Sequence, residues 1–315
     1  MSVLTLDICI PTVSGRELWL EECLHSVKEL QKLFDQQQIR IVVSGNGTNP
    51  LSDKFNIHPG VEFVYRPIKL PITDHLRDII SESRAEYIWL VGDDDYLNLE
   101  GAEQIIRDLF SFNGKLDLAI GKIRFFNRSS DSNPYEALPL NLTDHDNISL
   151  EDLLKLTNGD LYWGSYIVKK STLNLNKLDR YKGTSHEIFG AIWDSIVDKP
   201  DAHIYTTSET VMNLRQEEKS WDYSDLRTTL GKLEYMDLLP AQVRRYLPEP
   251  PPKYTTKQVL SLLAHCSTDE FPLLRKLLVR RGVQHMKFAE ILIFIPLSVW
   301  RFIGISWSST KKIIR

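Results

Sequence analysis

Three consecutive aspartates, Asp93, Asp94 and Asp95, are the residues whose types and spacing suggest chemistry most directly. They follow the apolar run Tyr87–Val91, which is typical of a parallel strand buried on both faces. Open α/β sheets bind ligands at the carboxyl ends of such strands. Neighbouring carboxylates repel one another unless a cation lies among them, and Mg²⁺ and Mn²⁺ prefer carboxylate oxygens together with substrate phosphates. The motif therefore predicts a site for a metal-chelated nucleoside diphosphate, with a solvated acidic turn as the alternative.

A glycine-containing turn, Gly45-Asn-Gly-Thr-Asn-Pro50, is the second feature with a chemical interpretation. It begins like the dinucleotide-binding fingerprint, but Pro50 replaces the third glycine and no helical pattern follows. We interpret it as a turn in which Asn46 contacts a nucleotide base. The sequence contains neither a P-loop nor the serine nucleophile elbow of hydrolases.

The elements that must position these residues alternate in a βα rhythm over residues 1–125. Periodicity predicts strands over 6–10, 39–43, 61–65 and 87–91, and helices from a capping box at 14–17 and over 73–83. This pattern is typical of a nucleotide-binding α/β half. Beyond residue 123 it loosens into loops, with a strand predicted over 162–168 and helices over 186–197 and 257–278. Between the last two, Pro248–Pro252 makes a stiff break.

Composition limits the class of protein. The chain has 315 residues with 42% hydrophobic and 25% charged residues, which excludes disordered and collagen-like chains. Its three cysteines form no CxxC pair, and no basic segment precedes an apolar run at the N-terminus. We therefore expect a protein of a reducing compartment, not one secreted by a cleaved signal.

Charge is distributed unevenly along the chain. The net charge is −4, but residues 275–315 carry nine basic residues against Glu290 alone, so the body is strongly acidic. An acidic body argues against nucleic-acid binding. The tail also contains the apolar and aromatic stretch Phe288–Trp307, which Glu290, Pro296 and Arg301 interrupt. That stretch is too broken for a membrane span and predicts a helix in the membrane interface, with a packed core helix as the alternative.

Four segments together resemble glycosyltransferase family 2. They are Asp-Ile-Cys-Ile-Pro-Thr at 7–12, Leu-Trp-Leu-Glu-Glu-Cys-Leu-His-Ser-Val at 18–27, Val-Val-Ser-Gly-Asn-Gly-Thr at 42–48, and Glu-Tyr-Ile-Trp-Leu-Val-Gly-Asp-Asp-Asp-Tyr-Leu at 86–97. The resemblance covers residues 5–126 closely and 160–221 loosely. The tryptophan before Gly-Asp-Asp-Asp is most similar to abequosyltransferase-like members, which decorate bacterial surface polysaccharides.

The resemblance implies a GT-A fold, an α/β architecture with one mixed sheet, and inversion at the anomeric carbon. The nucleotide sugar would bind the half formed by residues 1–125 and the acceptor the half formed by 126–225, followed by a helical region over 226–315. The positions that match the family's nucleotide and metal residues are Pro11 and Thr12 at the base, Arg66 near the nucleotide, Asp93 at the ribose, and Asp94 with Asp95 at a Mn²⁺ or Mg²⁺ ion.

One departure from the family concerns the donor. Many members have an aspartate that contacts uracil where this chain has Gly45. The substitution argues against a UDP-sugar and leaves dTDP-, CDP- and GDP-sugars open.

The resemblance also implies a general base at the start of a helix in the second half, where Gly-Thr-Ser-His-Glu occupies 183–187. Inversion needs a group that removes the proton of the acceptor hydroxyl, and Glu187 is the first candidate, His186 the second and Asp194 the third. The alternative is that Glu187 caps the helix. Two further hypotheses concern aromatic and basic residues. Sugars would stack on Trp163, Trp193 and Trp221, with packing in the core as the alternative. The diphosphate would contact Arg215, with simple solvation of the arginine as the alternative.

The sequence as a whole predicts a cytoplasmic glycosyltransferase, peripheral on the inner face of the cell membrane. It would transfer sugar from a nucleotide-sugar donor to a lipid-linked saccharide. Sugar-nucleotide pyrophosphorylases share the architecture, but they need a glycine-rich basic loop that residues 11–16 lack. A non-catalytic carbohydrate- or nucleotide-binding module is the remaining alternative, and the retained aspartates argue against it.

Overall fold

One mixed β-sheet organises the structure, a computed structural model that describes residues 4–35, 37–47, 59–126, 135–136, 142–157, 159, 161–215, 226–247 and 275. The strands in these ranges are β1 Leu6–Thr12, β2 Ile39–Asn46, β3 Val61–Arg66, β4 Tyr87–Leu90, β5 Tyr96–Leu97, β6 Leu118–Phe126, β7 Tyr135–Glu136, β8 Tyr166–Lys169 and β9 Ile204–Arg215. The helices are α1 Glu17–Gln31, α2 Ile72–Glu82, α3 Leu99–Ser111, α4 Leu150–Thr157, the 3₁₀-helix Leu175–Tyr181, α5 Glu187–Val197, α6 Leu226–Leu238 and α7 Ala241–Arg244.

The strand order is β3-β2-β1-β4-β8-β6-β9-β5, and β7 pairs with β6. The first four strands of this order are parallel to one another, whereas β8 runs antiparallel to both β4 and β6. The parallel part corresponds to the predicted βα half. Since parallel strands end at the same edge, the carboxyl ends of β1, β2, β3 and β4 form one edge, and open α/β sheets in general bind their ligands there. We call it the ligand-facing edge.

Burial on both faces explains the continuous apolar strands. Side chains alternate along β1, so Leu6, Ile8 and Ile10 pack with α1 in the main core, while Asp7 faces α2. There the Asp7 carboxylate accepts a hydrogen bond from Ser83 Oγ at 2.6 Å, just after α2. Every residue of β4 is buried, as its Tyr-Ile-Trp-Leu sequence predicts.

Two sequence predictions of local structure are wrong. Arg16, not Ser14, is the N-cap residue of α1, and Arg16 makes no side-chain cap hydrogen bond, so the helix begins two residues later than the predicted capping box requires. The strand predicted over 162–168 begins only at Tyr166, because residues 162–165 form a turn. Gly164 has a φ of 73° there, and Ser165 Oγ donates to the Tyr162 carbonyl at 2.8 Å.

The described residues fall into two units. The first contains residues 4–183, 187–215 and 238–247 apart from the undescribed gaps, and the second contains 184–186, 226–237 and 275. The boundary predicted near residue 225 lies in the undescribed stretch 216–225 and stays a prediction. Also outside the described residues are Trp221, the break at 248–252, the helix predicted over 257–278 except Arg275, and the tail over 288–307. No helix in the described ranges has both the length and the apolar character required to cross a membrane.

Candidate functional site

The predicted acidic site forms where β4 ends, in a loop of Gly92, Asp93, Asp94 and Asp95 that leads into β5. Gly92 is required there by close approach, since a Cβ at this position would lie 2.6 Å from Asp95 Oδ2. The loop also turns tightly, with the Asp95 amide donating to the Gly92 carbonyl at 3.2 Å. The three carboxylates are therefore gathered in a single turn at the ligand-facing edge of the sheet.

Asp93 is fixed by the end of the neighbouring strand β1. Thr12 Oγ1 donates to Asp93 Oδ2 at 2.6 Å, and both side chains are buried. Burial raises the pKa of Asp93 to about 7, although the Arg16 guanidinium and the Thr12 hydroxyl favour the charged form. Two residues predicted to line the nucleotide site are thus in direct contact.

Asp95 is fixed from the other side of the loop by β9. The Arg215 amide donates to Asp95 Oδ1 at 2.9 Å, and Arg215 Nε donates to the Asp94 carbonyl at 3.0 Å. The Arg215 guanidinium also forms an ion pair with Glu22 of α1 and lies 5.2 Å from the Phe126 ring centroid. Arg215 therefore ties α1, β9 and the acidic loop together, a role that the sequence did not predict.

Asp94 is the most open of the three aspartates. Its side chain is 19% exposed, against 4% for Asp93. Arg16 Nη2 lies 2.6 Å from Asp94 Oδ2 and 3.1 Å from Asp93 Oδ1. Sequence reasoning missed Arg16, which it had placed inside a capping box. Its location directly after β1, at the ligand-facing edge, was the available signal.

The acidic loop has the donor chemistry of a site for a hard divalent cation. Burial raises the pKa of Asp95 well above its ordinary value, with the Asp94 charge adding to the effect. Burial therefore disfavours the charged forms of Asp93 and Asp95, and a bound divalent cation would favour them. Carboxylate oxygens are the ligands that Mg²⁺ and Mn²⁺ prefer, so these residues fit either ion. Within the described ranges, no group of three or more His, Cys, Asp or Glu side chains is already arranged as a metal site.

Asn46 and Arg66 belong to a second cluster at the ends of β2 and β3. The Asn46 side chain donates to the Leu70 carbonyl at 3.0 Å and accepts from the Leu70 amide at 2.8 Å. Arg66 Nη1 donates to Ser44 Oγ at 2.5 Å, and its other nitrogens pair with Asp78 and Glu82 of α2. These contacts hold α2 and the loop before it against the sheet. Base contact by Asn46 and nucleotide contact by Arg66 stay predictions.

A buried histidine completes this second cluster. His75 Nε2 lies 2.9 Å from Ser44 Oγ, and burial together with the Arg66 charge lowers the pKa of His75 to about 4. The ring is therefore neutral at pH 7. Because Ser44 Oγ accepts from Arg66, its proton is available to the neutral ring.

The surface between the two clusters is a single row across three strands. Thr12, Gly45 and Tyr65 pair in register along β1, β2 and β3. A Cβ on Gly45 would lie 3.5 Å from Tyr65 Cδ2, so the half-exposed tyrosine ring covers the glycine. Pro11 pairs with Ser44 in the preceding row and is half-buried. The Tyr65 ring thus lies beside Gly45, the position at which many members of glycosyltransferase family 2 have an aspartate.

The predicted base Glu187 is the first residue of α5 and is only 2% exposed. Its Oε1 accepts a hydrogen bond from the Gly183 amide at 2.9 Å. A carboxylate at this position also interacts favourably with the helix dipole. The structure therefore gives Glu187 a contact that closes the turn before α5, and both its helix-capping and its catalytic role stay predictions.

The other two candidates for the base have different surroundings. His186 Nδ1 lies 2.9 Å from the Thr184 carbonyl, and its ring stacks on Tyr235 with centroids 5.0 Å apart. Asp194 is buried inside α5 and pairs with Arg180 at 3.1 Å. Burial raises the pKa of Asp194, partly offset by the charge of Arg180.

The tryptophans also differ. Trp193 is fully buried, and its Nε1 donates to the Gly159 carbonyl at 3.0 Å, so the hypothesis of sugar stacking is wrong for this residue and core packing is correct. Trp163 is half-buried and makes an edge contact with Phe189. Its stacking against a sugar stays a prediction.

Comparison with known proteins supports the fold. No protein-family model and no curated protein matches the chain. Among solved structures, S. aureus TarS 1–349 in complex with UDP-GlcNAc aligns with a TM-score of 0.58 at 12% identity, covering 87% of this chain and 80% of that one. TarS 1–349 in complex with UDP gives 0.56 at 11%, covering 87% and 79%. A third structure of TarS 1–349 gives 0.53 at 11%, covering 98% and 92%. The likeness confirms the predicted α/β class with a GT-A-like fold.

Proposed function

We propose that the chain is a metal-dependent, inverting glycosyltransferase that moves a sugar from a nucleotide-sugar donor to a lipid-linked saccharide during synthesis of O-antigen or another bacterial surface polysaccharide. The observation that carries the proposal is the acidic loop after β4, held between β1 and β9 at the ligand-facing edge of a GT-A-like sheet. The abequosyltransferase-like sequence around Asp93–Asp95 supports the acceptor class. A non-catalytic binding module is the alternative.

Binding of a nucleotide sugar is supported by both geometry and likeness. The row Thr12, Gly45 and Tyr65 provides a polar end beside Asp93 and an aromatic end for a base. The TarS structures contain UDP-GlcNAc and UDP. Because Gly45 supplies no carboxylate for a uracil, the base would be held by contact with Tyr65 instead, and pyrimidine and purine donors both remain open.

The division of work among the aspartates follows from their contacts. Asp94, the most exposed of the three, would bind the metal with Asp95, and Asp93 would bind the ribose. Thr12 and the Arg215 amide hold Asp93 and Asp95 in place before the donor arrives, which reduces the reorganisation that binding requires. When bound, Mn²⁺ or Mg²⁺ would neutralise the charge that develops on the diphosphate.

The transfer step needs a base on the opposite side of the sugar from the diphosphate. In the proposed step the acceptor oxygen forms a bond to the anomeric carbon while the bond from that carbon to the diphosphate oxygen breaks. The diphosphate leaves with the electron pair, and the proton of the acceptor hydroxyl passes to a Glu187 oxygen. His186 is the second candidate. Asp194 is third, since Arg180 already pairs with it inside α5.

A thermal-shift screen of the full chain tests the proposal. UDP, dTDP, GDP and CDP would each be added with and without Mn²⁺, because a ligand that binds the native state raises the melting temperature. We expect at least one nucleotide to stabilise the protein in a Mn²⁺-dependent way, and its sugar ester to be hydrolysed or transferred. Mn²⁺-dependent binding without turnover of any donor would favour the non-catalytic module.

A further inference from the structure

The positive charge of Arg16 lies among the carboxylates of the acidic loop. Its Nη2 bridges Asp94 Oδ2 at 2.6 Å and Asp93 Oδ1 at 3.1 Å. The Arg16 side chain is only 14% exposed, and its guanidinium carbon lies 5.0 Å from the centroid of the half-buried Trp19 ring. Partly desolvated ion pairs of this kind are stronger than exposed ones.

The backbone before α1 directs the arginine into this position. Gly15 has a φ of 92°, a left-handed conformation that glycine adopts without strain. The Gly15 amide donates to Glu17 Oε1 at 3.1 Å, which closes the turn between β1 and α1. Arg16 then extends from the N-cap of α1 towards the end of β4, where its guanidinium pairs with Asp93 and Asp94.

A divalent cation cannot bind Asp94 tightly while the Arg16 guanidinium stays in its present position. A divalent ion bound to Asp94 would approach the Arg16 guanidinium closely, because Nη2 already lies within hydrogen-bond distance of that carboxylate. Two positive charges a few ångströms apart repel strongly in a site shielded from water. Either the metal binds weakly or the guanidinium moves away.

We propose that Arg16 is an internal counter-cation that competes with the divalent metal for Asp94 and thereby sets the metal affinity of the free protein. The inference rests on the proposed metal-dependent function. Without metal, Arg16 limits repulsion among the carboxylates and keeps the loop folded. With metal, the guanidinium leaves Asp94 and its contact with Trp19 changes.

Calorimetric titration of the full chain with Mn²⁺ at pH 7.5 tests this competition. Arg16→Gln removes the charge but retains polar groups, and we expect its dissociation constant for Mn²⁺ to fall at least about tenfold below that of the unaltered protein. Arg16→Lys retains the charge and should stay within about threefold of the unaltered protein. Damage to the loop would weaken metal binding instead, so the direction of change separates competition from a structural role.

Arg40→Gln is the matched control. Arg40 also bridges two carboxylates, Asp7 at 2.6 Å and Glu62 at 2.7 Å, but it pairs with Asp7 at the opposite end of β1. Its Mn²⁺ affinity should equal that of the unaltered protein. In melting experiments without metal, Arg16→Gln should be destabilised, and saturating Mn²⁺ should remove most of that deficit.

A measurement on the unaltered protein covers the case in which Arg16→Gln does not fold. Mn²⁺ should change the tryptophan emission, and Trp19→Phe should abolish most of this change. Weaker or equal Mn²⁺ binding by Arg16→Gln, or a Trp19 signal insensitive to metal, would overturn the role of Arg16. Absence of Mn²⁺ binding by both the unaltered protein and Arg16→Gln would instead contradict the metal site itself.

Discussion

Asp93, Asp94 and Asp95 are adjacent in sequence but have different surroundings. Thr12 holds Asp93, the Arg215 amide holds Asp95, and Asp94 is the most open. The aspartate motif and its position after a buried strand were sufficient to predict where the acidic loop lies, and its binding role stays a prediction. The contacts that Arg16 and Arg215 make with these aspartates were not predicted, because the two arginines lie 77 and 120 residues away and nothing local in the sequence marks such contacts.

The buried charge at Asp93 has a consequence for stability. Burial raises its pKa in the folded protein to about 7, from an ordinary value of 3.8. Between these values the folded state holds a proton that the unfolded state has lost, so the contribution of Asp93 to stability declines as the pH rises towards 7. Without metal, Asp93 therefore destabilises the protein at pH 8 relative to pH 4.5.

Asp93→Asn should remove this pH dependence. The free energy of unfolding of the variant, relative to the unaltered protein, should increase by about 2 to 4 kcal/mol between pH 4.5 and pH 8, following about 1.4 kcal/mol per pKa unit. Urea unfolding at both pH values without metal measures the difference. A difference between the two proteins that does not change with pH would show that Asp93 ionises normally.

At the scale of elements, the sequence was most informative where hydrophobic periodicity decides the structure. The helix predicted over 73–83 is α2 at Ile72–Glu82, and the helix predicted over 186–197 is α5 at Glu187–Val197. It was least informative for β6 and β9. These strands pair with each other along most of their length, and β9 buries polar residues such as Thr206 and Thr207. Their pairing depends on contacts between segments distant in the chain, which local patterns do not contain.

The start of α5 carries the prediction on catalysis. Glu187→Gln retains an oxygen that can accept the Gly183 amide hydrogen bond, so the turn before α5 should persist, but the amide cannot take a proton from the acceptor. We expect turnover to fall by about two to four orders of magnitude, the usual contribution of a positioned general base. Steady-state kinetics and nucleotide titration measure the two effects.

Nucleotide affinity is the internal control for this variant and should be unchanged. His186→Gln and Asp194→Asn provide the comparison, and each should retain more activity than Glu187→Gln. Near-normal turnover of Glu187→Gln would transfer the role of base to one of those residues and leave Glu187 as a helix cap.

For the whole molecule, the main feature is the uneven distribution of charge between an acidic body and a basic tail. The basic tail over 275–315, with its apolar and aromatic stretch over 288–307, lies outside the described residues except for Arg275, and its role is a sequence prediction. Burial of apolar side chains in lipid gains roughly 25 cal/mol per Å², and each Lys or Arg near an anionic surface adds on the order of 1 kcal/mol. These two contributions favour peripheral membrane binding.

A chain that ends near Val283 should therefore lose co-sedimentation with anionic liposomes but still process a short water-soluble acceptor. High salt should release the full-length protein only partly, because screening weakens the electrostatic contribution and not the apolar one. If the shortened chain unfolds or aggregates while the full-length chain does not co-sediment with liposomes, the segment over 288–307 is a packed core helix and the membrane hypothesis is wrong.

Mn²⁺-dependent nucleotide binding by Asp94→Asn tests the central claim most directly. The amide retains the shape of the side chain but loses the charge that would bind the metal. Calorimetry of the unaltered protein should show binding of at least one nucleoside diphosphate that requires Mn²⁺. The folded Asp94→Asn variant should lose that binding together with transfer. Undiminished Mn²⁺-dependent binding by Asp94→Asn would contradict the metal site at the acidic loop and the mechanism that depends on it.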